Sequence, residues 1–370
     1  MDKKMNIAIV SLFALLAAAS TASAGVIDPA RGYLSPDKKV RWYNGAVLPM
    51  EGKGYPDTED IYTRLPNRMK EMVSPVVWKL SRQSAGLSIC FTTDSTEFWV
   101  KWNLVGGPHQ LCHMADTGSS GVDVYRWTGK AWRYTASNRG IYAANTLHVG
   151  KMKPGTRYMV NLPPYNGTKA FVLGIPEGKK IETMGPRSSG ITLPVVFYGT
   201  SITQGCGASR PGMAYPSIIG RMLDVPIVNL GFSGSGRMEP ALADILSGIK
   251  ASAYVLDCHW NMTESLIRER FEPFVRRLHK NHPDTPILLV EDSTVFGVYP
   301  TPKGRVSRDI YDRLKAENPG YWKNVFYLPS KDLIPDDGEA SVDGIHMTDY
   351  GMVCHARAFS KVLKVMLGLE

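Results

Sequence analysis

The sequence lacks several features that mark specialised classes of protein. After residue 24, no segment has about 18 uninterrupted apolar residues, so neither a membrane-spanning helix nor stable membrane insertion is predicted there. The 43 lysines and arginines are spread along the chain rather than run together, which argues against a nucleic-acid partner. With 44% hydrophobic and 21% charged residues, the composition is that of a globular protein, and 370 residues are enough for two domains.

Cysteine is scarce as well. The chain has 5 cysteines and no CxxC pair, and an odd count leaves at least one thiol unpaired within the chain. A disulfide between Cys206 and Cys258 is one arrangement that the spacing leaves open. The segment HQLCH (109–113) has the side chains of a metal site, but no second ligand cluster accompanies it. We therefore predict no metal and no other cofactor.

The first 24 residues have the pattern of a secretory signal. MDKK is a short charged start, an apolar stretch of about 15 residues follows, and Ala22-Ser23-Ala24 forms an A-x-A cleavage site. Cleavage before Gly25 predicts export, with the periplasm as the expected location. An N-terminal membrane anchor is the alternative, for which the apolar stretch is short.

Residues 25–183 are predicted to form a β-sandwich of the jelly-roll kind. Alternating segments rich in aromatic and β-branched residues occur at 87–104, 121–136 and 156–175. Thr128-Gly129-Lys130 divides the second segment in a way that is typical of a hairpin. Five tryptophans of this half could form a sugar-stacking face or fill the sandwich core: Trp42, Trp78, Trp99, Trp102 and Trp127.

A linker is predicted at 184–193, and residues 194–370 then change pattern. Apolar strand-like runs alternate with helix-like runs five times, beginning with LPVVFYG and ending with TDYGMVCHARAFSKVLKVML. This alternation predicts an α/β domain in which a five-stranded parallel sheet lies between helices. In such sheets, ligands bind at the carboxyl ends of the strands.

The candidate catalytic residues follow the first strand and precede the last helix. Ser201 comes directly after the first strand, beside Gly199, where a sharp turn would expose its hydroxyl. A serine needs a base to act as a nucleophile at neutral pH. In DGIH (343–346), one turn of backbone can put the carboxylate of Asp343 beside the imidazole of His346, which leaves the other ring nitrogen for the serine. Taken alone, DGIH is also typical of a surface turn.

Donors for a developing oxyanion are predicted after the second and third strands. NLGFSGSG (229–236) offers the backbone amide of Gly234, and LDCHWNM (256–262) offers the side-chain amide of Asn261. The amide of Ser201 itself is a further candidate. Each segment alone is consistent with a simple turn, but the four blocks occur in order along one α/β domain.

These blocks resemble those of the SGNH (GDSL-type) hydrolases. GTSI (199–202), NLGFSG (229–234), Asn261 and DGIH match the family's four blocks in turn. The first half looks like the GxDLY-type domain that precedes some bacterial SGNH esterases, through GVDVY (121–125), VWKLS and LPPYNG. The resemblance implies a Ser-His-Asp esterase whose oxyanion hole is formed by Ser201, Gly234 and Asn261.

The sequence departs from the family pattern at two places. Thr200 stands where the family has an aspartate before the serine, which we expect to change the local turn and not the nucleophile. In the third block, His259 and Trp260 precede Asn261, and the family's following acid is replaced by Met262. His259 and Trp260 are candidates for shaping an acyl or sugar pocket, or for packing.

Three more polar residues are tentative substrate contacts. Arg210 and Arg237 lie near the first two blocks, and Glu291 ends the fourth strand. Surface ion pairing is the alternative for the arginines, and helix capping is the alternative for Glu291.

The expected function is that of an exported serine esterase that removes short acyl groups, O-acetyl above all, from a polysaccharide. The formal net charge of +9 favours an acidic polysaccharide, although scattered basic side chains would give the same charge. One alternative is a lysophospholipase or thioesterase on the same scaffold. The other is a non-catalytic carbohydrate-binding protein. The sequence makes no prediction of the oligomeric state.

Overall fold

The computed structural model describes residues 25–108, 111–293 and 297–369. The predicted secretory signal and His109 of the HQLCH segment lie outside these ranges. Within them, no helix combines the length and the apolar character needed to cross a lipid bilayer.

The N-terminal domain consists of two antiparallel β-sheets, as the alternating segments predicted. One sheet has the strand order β1-β2-β10-β5-β8, and the other has the order β11-β4-β9-β6-β7, with β3 paired to β4. The strands are β1 Tyr33–Leu34, β2 Val40–Asn44, β3 Met50–Glu51, β4 Ser88–Thr93, β5 Phe98–Leu104, β6 Asp123–Trp127, β7 Trp132–Ser137, β8 Ala144–Val149, β9 Thr156–Asn161, β10 Thr168–Pro176 and β11 Ile181–Thr183. Two short helices, α1 Pro75–Ser81 and α2 Asp116–Ser119, lie in the connections.

Aromatic side chains fill the space between the two sheets. Phe91 of β4 and Phe98 of β5 belong to different sheets and meet edge to face, with ring centroids 5.3 Å apart. Tyr158 of β9 contacts both rings. Trp102 is completely buried in the same cluster. Trp102 therefore belongs to the sandwich core, and the apolar area that these rings remove from water stabilises this domain.

The C-terminal domain contains a five-stranded parallel sheet of order β13-β12-β14-β15-β16. Its strands are β12 Val195–Gly199, β13 Ile227–Gly231, β14 Ala253–Asp257, β15 Ile287–Val290 and β16 Val325–Leu328. The helices are α3 Ser201–Gln204, α4 Tyr215–Leu223, α5 Pro240–Ser247, α6 Glu264–Asn281, α7 Pro302–Glu317 and α8 Asp349–Leu367. Helices α4 and α8 pack on one face, and α5, α6 and α7 pack on the other. The strand order reverses at β12, and Ser201 follows this strand at its carboxyl end.

Local sequence signals explain where the long helices begin. Thr263, Thr301 and Thr348 precede α6, α7 and α8, and each hydroxyl accepts a hydrogen bond from a backbone amide in the first turn. Such caps satisfy amide groups that have no partner within the helix. Proline is the first residue of α5 and α7, a position that needs no amide hydrogen.

A buried arginine joins the two domains. Arg64 of the N-terminal domain is only 2% exposed, and its guanidinium donates to the backbone carbonyls of Asn229 (3.1 Å) and Gly231 (2.7 Å) at the end of β13. It also donates to the carbonyls of Gln83 and Leu80 within its own domain. All of these acceptors are neutral, so the contact depends on complete hydrogen bonding and not on an ion pair.

The GVDVY segment lies at the same domain boundary. The buried carboxylate of Asp123 accepts hydrogen bonds from the Asn161 side chain (2.8 Å) and from the backbone amide of Gly212 (2.9 Å) in the C-terminal domain. The ring of Tyr125 lies under the guanidinium of Arg221 at 3.7 Å. A side chain at position 212 would collide with Tyr125, so this glycine lets the domains approach closely.

We predict that Arg64→Met destabilises the protein by about 3 kcal/mol, because each buried carbonyl left without a donor costs about 1–3 kcal/mol. Urea denaturation followed by circular dichroism measures the change. Arg68→Met is the matched control, since this exposed arginine pairs with Asp57 at the surface, where ion pairs contribute less than about 1 kcal/mol. Equal denaturation midpoints for the two variants would contradict the prediction.

Candidate active site

The turn between β12 and α3 presents the hydroxyl of Ser201. Thr200 caps the short helix, with its hydroxyl 3.4 Å from the amide of Ile202. A side chain at Gly199 would lie 2.1 Å from the Thr203 hydroxyl, so the turn requires glycine there. The replacement of the family's aspartate by Thr200 thus leaves a capped strand-to-helix turn with Ser201 as its first helical residue.

The structure brings Ser201, His346 and Asp343 together in one chain of hydrogen bonds. Ser201 Oγ lies 3.0 Å from His346 Nε2, and His346 Nδ1 lies 2.7 Å from Asp343 Oδ2. The other carboxylate oxygen of Asp343 accepts from the backbone amides of Ile345 (3.0 Å) and His346 (2.7 Å). Gly344 has a φ of 88°, the left-handed conformation that closes this turn.

These hydrogen bonds keep Asp343 ionised. Partial burial by itself would raise the pKa of its carboxyl, but the bonds from the His346 side chain and from two backbone amides outweigh burial and lower the pKa to about 2. The carboxylate therefore accepts from Nδ1–H at any pH near neutrality, which fixes one tautomer of the imidazole and leaves Nε2 facing the serine.

A histidine of the N-terminal domain covers the ring of His346. The rings of His113 and His346 are stacked, with centroids 4.6 Å apart and planes 7° from parallel. His113 Nε2 lies 2.7 Å from the sulfur of Cys206, and His113 Nδ1 lies 3.1 Å from the sulfur of Cys112. Burial raises the pKa of Cys206 to about 12, so its sulfur is a neutral thiol that can donate to the ring.

The surroundings of Cys206 also bear on the disulfide that the spacing left open and on the metal-like chemistry of HQLCH. All five cysteines lie in the described part of the chain and are free, so the Cys206–Cys258 disulfide is not formed. Among the described residues, His113, Cys206 and His346 form one group whose ligand atoms lie within 4.8 Å of one another. The two rings are parallel, however, and lone pairs in parallel planes cannot both point at one ion. The group fits a hydrogen-bonded stack better than a tetrahedral metal site.

The predicted oxyanion donors lie on two neighbouring loops. Asn261 follows β14, and its Nδ2 donates to the backbone carbonyl of Ser235 at 2.6 Å. The amide group carries two hydrogens, so this bond orients the side chain and leaves one hydrogen to donate. Gly234 has a φ of 67°, and within the described part of the chain no atom lies within 4 Å of where its β-carbon would be.

Two of the candidate substrate residues have buried side chains. His259 is completely buried and stacked on Phe271, and burial lowers the pKa of its imidazole to about 4. Glu291 is also buried, where it accepts from the Tyr327 hydroxyl (2.6 Å) and the Ser330 amide (2.8 Å). Both side chains thus belong to the packing of the domain, because strand ends next to the functional edge are still covered by helices.

The other three tentative residues are at least partly accessible. Trp260 is half-buried against the α8 side of the sheet, next to Asn261. Arg237 is exposed. Arg210 lies at the domain boundary, with its Nε 3.4 Å from the carboxylate of Asp123 and its guanidinium over the ring of Tyr134.

Comparison with known proteins assigns both domains. Residues 192–364 match the GDSL-like Lipase/Acylhydrolase family, and residues 40–181 match a family described as the N-terminus of Esterase SGNH hydro-type proteins. The fold and these matches define an SGNH-type hydrolase domain preceded by a GxDLY-type domain, which confirms the resemblance seen in the sequence. The family match supports acyl ester hydrolysis as the class of activity. No curated protein matches the chain significantly.

Solved structures with the same architecture include one at 27% sequence identity. It is described as a GDSL-like lipase from Bacteroides ovatus, and the match has a TM-score of 0.80 and covers 90% of this chain and 99% of that one. A salicylyl-acyltransferase of a tetracycline biosynthetic pathway matches with a TM-score of 0.68 at 17% identity, covering 89% and 98% of the two chains. A family two carbohydrate esterase from Clostridium thermocellum matches with a TM-score of 0.53 at 14% sequence identity, and the match covers 77% of this chain and 93% of that one. At these last identities the likeness shows the fold alone.

The ionisation of Asp343 generates a prediction about pH. Its folded-state pKa lies below the unfolded value of about 3.9, so its contribution to stability is present above that value and is lost as the pH falls towards 2. Carboxyl ¹³C NMR of the folded protein should give a titration midpoint near 2. In His346→Ala the midpoint should rise, whereas in Ser201→Ala, which keeps the carboxylate–imidazole pair, it should not change. A midpoint near 4 in the unmodified protein would contradict the prediction.

Proposed function

We propose that the protein is an exported serine esterase that hydrolyses short acyl esters, O-acetyl above all, on a polysaccharide. The observation that carries this proposal is the chain of hydrogen bonds from Ser201 through His346 to Asp343 at the carboxyl edge of the sheet. Residues 1–24 support export through their signal-like pattern, which makes the periplasm the proposed location.

In this mechanism Ser201 is the nucleophile and His346 is the base. As Oγ attacks the ester carbonyl carbon, Nε2 takes the hydroxyl proton, and the imidazolium that forms is stabilised by the carboxylate of Asp343. His346 then protonates the sugar oxygen as the carbon–oxygen bond breaks, which leaves an acyl-serine. Water, deprotonated by His346, attacks this ester, and the serine leaves with the proton as the carboxylic acid is released.

The negative charge of each tetrahedral intermediate requires donors that are already in place. We assign this role to the backbone amides of Ser201 and Gly234 and to the free hydrogen of the Asn261 amide. The first amides of a helix lack partners within it, which suits Ser201 at the start of α3. The bond from Asn261 to Ser235 holds the third donor in position.

A short acyl group on a carbohydrate is the substrate that the surroundings favour. Trp260 precedes the proposed donor Asn261 and is half-buried against the core, and we infer that its bulk favours a short acyl group. The carbohydrate esterases among the structural neighbours have the same fold. The net charge of +9 favours an acidic polymer. A lysophospholipase or thioesterase would instead prefer octanoyl over acetyl esters, and a pure carbohydrate-binding protein would turn over neither.

The mechanism predicts that Ser201→Ala lowers kcat by about 10⁴-fold or more while the protein stays folded. Acetate release is measured on acetylated pectin, xylan and sialosides, with 4-nitrophenyl acetate and octanoate as generic esters. Ser247→Ala, which removes a hydroxyl at the end of α5, is the matched control and should retain full activity. Undiminished turnover by Ser201→Ala would refute the assigned nucleophile.

The stack on His346 generates a second kinetic prediction, in which His113 is a positioning residue. His113→Ala removes the ring that covers the imidazole, so His346 can rotate away from Ser201, and kcat should fall about tenfold to a hundredfold with little change in KM. His113→Phe keeps a flat ring in the stack and should recover most of the loss. Equal kcat values for the alanine variant and the unmodified protein would show that the stack does not position the base.

A further inference from the structure

A second concave surface lies between the two domains, apart from Ser201. This interdomain cleft has a volume of about 860 Å³ and is bounded by the β6–β7 hairpin on one side and by α4 and the end of α8 on the other. Helix α4 leads from the carboxyl edge of the sheet back to the start of β13. Its nine residues give it a length of about 13 Å. Because Met222 and Leu223 at its far end line the cleft, the cleft extends away from the catalytic edge.

The lining of the interdomain cleft is strongly basic. Its cationic side chains are Lys130, Arg133, Arg210, Arg221 and Lys364. Among the described residues that line it, Asp224 is the single carboxylate. Asp224 is already bound, since it accepts from the indole of Trp132 (2.9 Å), from the guanidinium of Arg187 (3.0 Å) and from Ser188. The cleft therefore has an excess of positive charge that can bind a negatively charged ligand.

Three of these cations are free to meet a ligand, and two have structural partners. Lys130, Arg133 and Lys364 are exposed. Arg221 donates to backbone carbonyls and stacks on Tyr125, and Arg210 pairs with Asp123. The exposed cations come from both domains, so a ligand that contacted all of them would bridge the domain boundary.

Aromatic rings line the same surface. Tyr134 is 48% exposed, and the guanidinium of Arg210 lies 4.5 Å from the centre of its ring, which holds the ring in a defined orientation. Trp127 is half-buried and packs edge to face against Trp132. Fixed rings with accessible area supply flat apolar surface at low entropic cost, which suits the apolar faces of sugar rings.

We propose that the interdomain cleft is an accessory binding site for an anionic polysaccharide whose sugar rings carry carboxylates. A concave lining that mixes spaced cations with aromatic rings suits such a polymer better than a flat lipid surface. The segment 205–213 begins beside Ser201, where the Gly205 amide donates to the Ser201 carbonyl, and ends in the cleft at Arg210 and Met213. This inference rests on the proposed function, because it places the same polymer in the cleft and, through its acyl groups, at Ser201.

The test measures binding in a Ser201→Ala background, so that no hydrolysis intervenes. Affinity electrophoresis and titration calorimetry with polygalacturonate, at 50 and 300 mM NaCl, should show binding that weakens with salt, and neutral galactan should bind much less. The triple variant Lys130→Glu, Arg133→Glu, Lys364→Glu should raise Kd about tenfold or more. Tyr134→Ala should weaken binding while leaving its dependence on salt unchanged.

A matched charge reversal on another surface completes the design. Lys169→Glu, Lys179→Glu, Lys180→Glu changes three exposed lysines outside the cleft and should leave Kd unchanged. Equal Kd values for the cleft variant and its parent would overturn the proposal. An equal loss in both triple variants, or equally tight binding of duplex DNA, would also overturn it, since either result indicates general attraction of polyanions.

The accessory site and the proposed function can fail separately. The cleft variants, made with Ser201 intact, should hydrolyse 4-nitrophenyl acetate at the unmodified rate but release less acetate from an acetylated pectin at low polymer concentration. Polygalacturonate binding together with undiminished turnover by Ser201→Ala would refute the mechanism, while the accessory site would still be supported. Normal Ser201-dependent turnover without polygalacturonate binding in the cleft would refute the accessory site and leave the mechanism supported.

Discussion

The burial of Arg64 is the constraint on which the rest of the structure depends. A guanidinium removed from water is stable only when its donors are satisfied, and here four backbone carbonyls from both domains accept them. Two of these carbonyls, those of Asn229 and Gly231, lie at the end of β13, where the loop that carries Gly234 begins. The contact therefore fixes the N-terminal domain against the strand ends that form the candidate active site.

Further contacts from the N-terminal domain extend this arrangement to the proposed catalytic groups. The hydroxyl of Tyr165 donates to the carbonyl of Ser201 at 3.0 Å, and the side chain of Gln204 bonds to Gln83 and to the carbonyl of Pro164. His113 stacks on the proposed base. Of the segments that resemble a GxDLY-type domain, LPPYNG thus contacts the turn that presents Ser201, through Pro164 and Tyr165.

Periodicity and turn residues predicted most of the fold. Each of the five strand–helix pairs of the second half is present, because largely apolar runs of four or five residues followed by amphipathic segments have few other stable arrangements. The β4–β5, β6–β7 and β9–β10 segments were also predicted. Strands β1, β2, β3, β8 and β11 were not, since their sequences are short and carry little apolar alternation. Ser201 and Asn261 were accessible to prediction because they follow strand ends, and Asp343 and His346 because their block precedes the last helix in the same ordered set. His113 was not, since the short segment HQLCH gives no sign of what its second histidine stacks upon.

The sequence by itself determined the two domain types, the alternation of strands and helices along the second domain and the side chains that can perform acyl transfer. These properties depend on local pattern, on chain order and on residue chemistry. Only the tertiary structure decided that His259 and Glu291 are buried, that Cys206 contacts a histidine instead of a second cysteine, and that a basic cleft forms between β6–β7 and α4. Each of these outcomes is a contact between distant segments, and such contacts are set by how the domains pack, for which neighbouring residues carry no signal.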